Sequence, residues 1–314
     1  MPGSAEPAPR RARVNTYRTQ AGTDAPVELA YDLFGERGLP LVLVMGIGAQ
    51  RIFWSDALCM QFVAAGFQVV RFDHRDIGES TRLDLPTPKP LPLLARAMLK
   101  LRVAAPYSLS DMANDVVGLI DHLGWKTAHF LGASMGGMVV QHLALEHPER
   151  VRSITAIMTT PGGRRYIPKP RAFGALFAPS PKSAEEAGDH AAKMFEIIGS
   201  TAWSTDVERL KRAGTIAFER GFHPRGFLRH FASVLMSGDR RAKLSSVTAP
   251  MLVIHGSSDP MFPLGAGRAL ARSVKHGTWL PIAGMGHDLP TQLWPTIVAA
   301  VAKHAKAADT HARV

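Results

Sequence analysis

The sequence predicts an α/β fold in which a doubly wound, mostly parallel sheet carries an inserted helical cap. In the first half of the chain, continuous apolar runs alternate with longer amphipathic segments, as buried parallel strands alternate with helices. Between Met158 and Met251 this alternation stops and only helical patterns remain, after which it resumes. An interruption of this kind between two core strands is typical of a module inserted into a single domain.

We expect the chain to begin with a disordered leader followed by an antiparallel hairpin. Residues 1–13 are rich in proline, alanine and arginine and have no periodic apolar pattern. Two short strand patterns follow at 14–18 and 27–33, separated by the turn-forming residues 21–24. The core is therefore predicted to start at residue 14 and to run to residue 160.

Strands and helices succeed one another regularly in this first part of the core. The strand patterns are short and continuously apolar, whereas the helical patterns repeat apolar residues every three or four positions. The predicted strands cover 41–44, 69–72, 128–131 and 154–158, and the predicted helices cover 52–65, 111–123 and 135–146.

Residues 86–106 interrupt that succession. Prolines at alternating positions from Pro86 to Pro92 are followed by a basic amphipathic run at 93–103, which predicts a surface excursion. Two interpretations remain open. The segment is either a helix that covers the core, with Arg96, Lys100 and Arg102 in solvent, or a flap near the mouth of a substrate pocket.

The predicted cap covers residues 161–249, and the second part of the core covers 250–305. The cap starts in a loop rich in glycine and proline and ends before Pro250. Residues 306–314 are predicted to be a flexible tail. Helical patterns in the cap cover 184–198, 206–217 and 224–236, and the core resumes with a strand at 251–255, a helix at 264–273, a strand at 278–282 and a closing helix at 291–303.

Composition argues against several classes of partner. The net charge is +11, but the cationic residues are scattered over both ends and presumed helix faces, with no nucleic-acid-binding motif, so we expect no nucleic acid. No apolar run approaches membrane-spanning length and no secretory signal is visible, so we expect no membrane partner and a cytoplasmic protein.

The chain has a single cysteine, Cys59, which agrees with a cytoplasmic protein and excludes a metal site built from cysteines. Homo-oligomer formation is left open.

Residues 132–137, with the sequence Gly-Ala-Ser-Met-Gly-Gly, lie between a predicted strand and a predicted helix. A serine at such a turn is lifted above the edge of the sheet, and small neighbours are needed because the strained backbone leaves no room for side chains. Ser134 is therefore a candidate nucleophile. The same pattern also describes an ordinary glycine-rich loop, so partner residues must decide between the two.

A serine nucleophile requires a histidine that takes its proton and a carboxylate that orients the histidine. Functional groups of an open parallel sheet gather at the carboxyl ends of its strands. Among the thirteen histidines, His287 follows the last predicted strand, and Asp259 follows the strand before it. These two residues are the predicted base and acid.

Other candidates fit less well. His255 ends a strand but precedes the acid, and a tight turn explains it more simply. His74 stands in a His-Arg-Asp sequence like that of a kinase catalytic loop, but no other kinase motif accompanies it, so we expect a structural role. Asp288 adjoins His287, and adjacent side chains rarely orient one another in the required way.

Acyl transfer also requires donors for a developing oxyanion, and backbone amides can supply them. The amide of Met135 lies at a predicted helix N-terminus, directly after the candidate nucleophile. The amide of Ile47 lies in a glycine-flanked loop after the predicted strand 41–44. Both amides are predicted to form the oxyanion hole.

These motifs together resemble the α/β-hydrolase superfamily, in which serine, acid and histidine follow one another in this order. The resemblance covers roughly residues 27–303, with the cap less specific. Met45-Gly46, where many members have His-Gly, is similar to small bacterial carboxylesterases that include the aclacinomycin methylesterases. A serine nucleophile argues against haloalkane dehalogenases and epoxide hydrolases. The stretches that carry the resemblance are 43–48, 72–80, 132–137, 255–259 and 286–287.

The resemblance and the residues imply a serine hydrolase that needs no cofactor and acts on a small-molecule ester. Ser134 would attack the acyl carbonyl, His287 would move the proton, and Asp259 would steady the imidazolium. Abundant large apolar residues in the cap favour a small to medium, apolar ester. The same three residues would serve carbon–carbon bond hydrolysis, thioester hydrolysis or acyl transfer. A ligand-binding protein with little turnover on a hydrolase scaffold is a further alternative.

Overall fold

An eight-stranded sheet forms the centre of the protein in the computed structural model, which describes residues 10–99, 101–163, 165–166 and 168–311. The strands are β1 (Arg10–Arg18), β2 (Asp24–Phe34), β3 (Leu39–Val44), β4 (Phe67–Phe72), β5 (Ala128–Ala133), β6 (Val151–Ile157), β7 (Met251–Gly256) and β8 (Gly277–Ile282). They are ordered β1-β2-β4-β3-β5-β6-β7-β8. β1, β2 and β4 pair antiparallel, and every later pairing is parallel. The mostly parallel sheet predicted from the sequence is confirmed.

The antiparallel hairpin starts earlier than predicted. β1 begins at Arg10, which pairs with Tyr31, so residues 10–13 belong to the sheet and not to a disordered leader. Ala12 is completely buried while the arginines beside it are exposed, and this alternation is that of an edge strand with one covered face. The charged outer face hid the strand pattern. The rest of the predicted leader, residues 1–9, lies outside the described residues.

Helices cover both faces of the sheet, as a doubly wound fold requires. On one face α3, α4 and α10 pack against the sheet, and on the other α1 and α11 do so. The helices are α1 (Asp56–Ala64), α2 (Pro90–Met98), α3 (Leu109–His122), α4 (Met135–Glu146), α5 (Pro170–Leu176), α6 (Ala184–Ile198), α7 (Val207–Gly221), α8 (Pro224–Ser237), α9 (Arg241–Leu244), α10 (Leu264–Ser273) and α11 (Trp294–His311).

The closing helix runs further than predicted. α11 continues to His311, so residues 306–311 are helical and not a flexible tail. Ala302, Ala305 and Ala308 are all buried and continue the apolar stripe of this helix onto the sheet. Residues 312–314 lie outside the described residues.

Helices α5 to α9 lie between β6 and β7, where the sequence predicts the cap. Helix α2 packs against α8: Leu93 of α2 and Val103, which follows that helix, are buried in a cluster with Phe231 of α8. Arg96 and Arg102 are exposed, in agreement with a covering helix, and Lys100 lies outside the described residues.

A buried ion pair joins the cap to the core. Arg229 of α8 donates to the Oδ1 atom of Asp76 at 2.7 Å and to the carbonyl of Leu83 at 2.9 Å. Asp76 follows β4 and is completely buried, and it also accepts from the hydroxyl of Tyr107 at 2.9 Å. Because both charged groups are buried away from water, the attraction between them must offset the cost of their desolvation.

Replacing Arg229 with methionine should lower the free energy of unfolding by roughly 3–5 kcal/mol, because the Asp76 carboxylate is left buried without its cation. Chemical denaturation followed by circular dichroism measures this. Arg225→Met, at an exposed position of the same helix, is the matched control and should change stability by about 0.5 kcal/mol or less. Equal stabilities of the two variants would contradict this account of the cap attachment.

Candidate active site

Ser134 stands in a strained turn between β5 and α4. Its backbone adopts φ 55° and ψ −119°, a combination that a residue with a side chain holds only when the surroundings impose it. The Ser134 amide donates to the carbonyl of Ile157 at 3.0 Å, and the Thr159 hydroxyl donates to the Ser134 carbonyl at 2.7 Å. A side chain at Gly132 or Gly136 would overlap neighbouring backbone. The flanking glycines are therefore required by close packing.

The structure brings together the three side chains that the sequence singled out. The Nε2 atom of His287 lies 3.0 Å from the Oγ atom of Ser134, and its Nδ1 atom lies 2.9 Å from the Oδ2 atom of Asp259. Because an aspartate accepts, we assign the ring proton to Nδ1, which leaves Nε2 to accept the serine proton. Asp259 and His287 are both buried. This is the arrangement of a nucleophile, a base and a base-orienting acid.

The turn after β7 holds Asp259 in place. Its Oδ1 atom accepts from the amides of Met261 at 2.7 Å and Phe262 at 3.0 Å, which leaves Oδ2 for the histidine. Burial by itself would raise the pKa of the Asp259 carboxyl. The His287 ring, the nearby His255 and the Phe262 amide outweigh burial and hold that pKa below its usual range. Asp259 is thus kept as an anion behind the ring.

The two backbone segments that carry the predicted oxyanion donors both adjoin Ser134. Met135 is the first residue of α4, and the first amides of a helix have no partner within it. The loop after β3 approaches from the other side, since a Cβ atom on Gly46 would lie 3.3 Å from the Cβ atom of Ser134. Within the described part of the chain, the Ile47 amide donates to no protein acceptor. The Met135 amide thus directly follows the candidate nucleophile, and the Ile47 amide lies in a loop that packs against it.

The pattern of the family described as alpha/beta hydrolase fold matches residues 40–290. The chain belongs to this family. It is 27% identical over 296 residues to rhodomycin D methylesterase of Streptomyces peucetius, covering 86% of this chain and 91% of the relative. It is 26% identical to the rhodomycin D methylesterase of Streptomyces sp. (strain C5), covering 86% and 91%. A thermophilic esterase from Thermogutta terrifontis superposes with a TM-score of 0.67 at 22% identity, covering 95% of this chain and 99% of that chain.

In this α/β-hydrolase a cavity of about 380 Å³ opens at Ser134 and His287 and extends between the core and the cap. Its lining is predominantly apolar, which suits an apolar ligand with a polar reacting group. None of the described residues between 86 and 106 belongs to the lining, so the flap interpretation of that segment finds no support. Six large apolar residues of the cap are among those that line the cavity: Leu176, Met194, Phe195, Phe218, Phe222 and Phe227.

Arg209 of α7 is one of the charged residues in this lining, and the sequence did not reveal it. Its Nε atom lies 3.8 Å from the Oδ2 atom of Asp206, and its guanidinium lies over the ring of Trp294 at 5.7 Å. Burial lowers the pKa of the Arg209 guanidinium, although Asp206 and Asp288 oppose this. No local motif distinguishes this arginine from those on outer helix faces.

The rejected candidates have other partners. The Nε2 atom of His255 lies 3.1 Å from the carbonyl of Phe262 and 3.5 Å from Asp259, so this ring supports the acid from behind. Asp288 accepts from the hydroxyl of Ser200 at 2.6 Å and makes no hydrogen bond to the His287 ring among the described residues. His74 is buried, and its Nε2 atom lies 3.0 Å from the carbonyl of Met45.

The described residues include neither a metal-binding cluster nor a membrane-spanning helix. Among them, no group of three or more His, Cys, Asp or Glu side chains is placed to hold a metal ion. The helices of the same residues include none with the length and apolar character needed to cross a membrane. Cys59 is buried, and burial raises the pKa of its thiol to about 12, so it is not a thiolate nucleophile at neutral pH.

Acid titration should reveal the ionised state of Asp259. A carboxyl whose pKa is lower in the folded than in the unfolded protein stabilises the fold when ionised. That contribution is complete above the unfolded pKa of about 3.9 and is lost as the pH falls through the folded pKa. Between pH of about 6 and about 2.5, the wild type should therefore lose more stability than Asp259→Asn. Chemical denaturation across this range measures the difference, and parallel curves would contradict it.

Proposed function

We propose that this protein is a serine hydrolase that cleaves a small to medium, apolar carboxylic ester through an acyl-enzyme intermediate. The observation that carries the proposal is the continuous chain of hydrogen bonds from Ser134 through His287 to Asp259, which opens into an apolar cavity. Two relatives named rhodomycin D methylesterase, matched over most of both chains, support ester hydrolysis.

In the first half of the reaction the Oγ atom of Ser134 attacks the acyl carbon and its proton passes to the Nε2 atom of His287. The carbonyl π electrons move onto oxygen, and the amides of Ile47 and Met135 donate to that oxyanion. Removal of one such donor typically costs roughly 2.7–4 kcal/mol of transition-state stabilisation. When the oxyanion collapses, the carbon–oxygen bond to the alcohol breaks and His287 returns the proton to the departing alkoxide.

In the second half a water molecule repeats these steps on the acyl-serine. His287 accepts a proton from the water as it attacks, and then returns the proton to Ser134 as the carboxylic acid leaves. Asp259 stays ionised throughout and stabilises the imidazolium twice in each cycle, which its lowered pKa favours. Every proton is moved by this chain's own residues, so the proposal needs no cofactor and no partner other than a small-molecule ester.

Ser134→Ala should reduce the hydrolysis of p-nitrophenyl esters by roughly four to six orders of magnitude, because the nucleophile is lost while the cavity is kept. The release of p-nitrophenol from acetyl to octanoyl esters measures the rates. A fluorophosphonate should label the wild type once, at Ser134. The control Ser246→Ala, at an exposed position, should retain wild-type rates and labelling. Undiminished turnover in Ser134→Ala would exclude the mechanism.

The cavity should set the chain-length preference. Met194 of α6 lines it, so Met194→Trp should lower kcat/KM for an octanoyl ester by about tenfold or more relative to the acetyl ester. Ile216→Trp, on the half-exposed face of α7, adds the same bulk outside the cavity and should leave the ratio unchanged. An unchanged ratio in Met194→Trp would place the acyl chain elsewhere.

A further inference from the structure

Two buried histidines contact the loop that carries the Ile47 amide. On one side of Ile47, the Nε2 atom of His74 lies 3.0 Å from the carbonyl oxygen of Met45. On the other side, the Nδ1 atom of His230 lies 3.3 Å from the amide nitrogen of Gly48. His74 belongs to the core and His230 to cap helix α8, and their rings meet edge to face at 5.7 Å. The peptide group that contains the Ile47 amide thus lies between two peptide groups that are each held by a histidine.

The hydrogen bonds of His230 define its tautomer. Its Nε2 atom lies 3.0 Å from the carbonyl oxygen of Arg75, which can only accept, so Nε2 carries the proton. The Nδ1 atom is then left with a lone pair and accepts from the Gly48 amide. Burial lowers the pKa of His230 to about 3, so the ring stays neutral and this polarity is fixed near neutral pH.

The packing around the loop leaves it little freedom to move. Gly48 adopts φ 66°, and a Cβ atom on it would lie 2.8 Å from the ring of Phe227, one helical turn before His230. Gly226 of the same helix lies directly against the backbone of Asp76. His230 is completely buried at this contact. Helix α8 therefore packs tightly against the backbone of Asp76 and against Gly48 of the loop, and His230 adds a hydrogen bond to that loop.

We propose that His230 is a positioning residue of the oxyanion hole: from the cap, it fixes the Gly48 peptide and so aims the Ile47 amide at the developing oxyanion, with His74 as the matching anchor in the core. This rests on the proposed hydrolase function. Neither histidine belongs to the lining of the cavity. Their effect is on transition-state stabilisation, because an amide that has moved by about 1 Å loses much of its interaction with the oxyanion.

Asparagine and glutamine can separate the roles of the two ring nitrogens of a histidine. The amide group of asparagine reaches about the place of Nδ1, and that of glutamine about the place of Nε2. His230→Asn keeps an acceptor for the Gly48 amide and loses the donor to Arg75, whereas His230→Gln keeps that donor and loses the acceptor. At His74 the relevant bond is made by Nε2, so His74→Gln keeps it and His74→Asn loses it.

The expected result is a crossed pattern in ester hydrolysis. His230→Gln and His74→Asn should lower kcat by about 10- to 100-fold with KM nearly unchanged, since ground-state binding is not affected. His230→Asn and His74→Gln should stay within about threefold of wild type. Ser233→Ala removes another bond of α8 to the core, the one to the carbonyl of Tyr107 at 2.7 Å, and should leave kcat unchanged. Thermal melting confirms that each compared variant is folded.

These outcomes distinguish a positioning role of His230 and His74 from a purely structural role. Equal losses in both variants of a pair, or an equal loss in Ser233→Ala, would mean that the histidines only stabilise the packing of the core and the cap, and would overturn the proposal. Wild-type kcat in His230→Gln would also overturn it. If neither His230 variant folds, the His74 pair decides by the same criteria. If the wild type hydrolyses no ester and no fluorophosphonate labels it, the proposed function fails instead.

Discussion

The backbone of Ser134 is held in a conformation that it would not adopt alone, and the arrangement of the site depends on this constraint. The carbonyl of Ile157 and the hydroxyl of Thr159 fix the turn from the β6 side, while glycines at its flanks let β5, α4 and the end of β3 approach one another. Strain of this kind persists only where surrounding structure imposes it. Its result is that the serine hydroxyl, the first amide of α4 and the loop with Ile47 meet at one place.

The cap is part of this arrangement and does more than enclose a cavity. It is attached through the buried Arg229–Asp76 pair, and helix α8 places Phe227 against Gly48 and His230 on the Gly48 amide. The same helix thus lines the cavity and contacts the loop that carries the Ile47 amide. A cap seated on the core therefore fixes both the shape of the ligand cavity and the loop beside the nucleophile.

Much of the candidate site was predictable from the sequence, because a local sequence pattern indicates the backbone geometry that it must form. The elbow around Ser134 and the positions of Asp259 and His287 at strand ends follow from spacing and order alone. Other features depend on contacts between distant residues. Gly48 and His230 are separated by 182 positions, and no motif marks either partner. The predicted limits of the fold are wrong at both ends. Arginines on the outer face of β1 conceal its strand pattern, and the buried alanines that extend α11 to His311 give only a weak apolar pattern.

In the proposed mechanism, strain at Ser134 and the loop held by His74 and His230 aim the amides of Ile47 and Met135 at one oxyanion. A crystal structure of the protein after reaction with an alkyl phosphonate tests it most directly, because the phosphonyl oxygen takes the oxyanion's place. We expect a covalent bond to the Oγ atom of Ser134 and a phosphonyl oxygen at about 2.7–3.1 Å from the amide nitrogens of both Ile47 and Met135. A phosphonyl oxygen bound by other groups, or an adduct on a residue other than Ser134, would contradict the account.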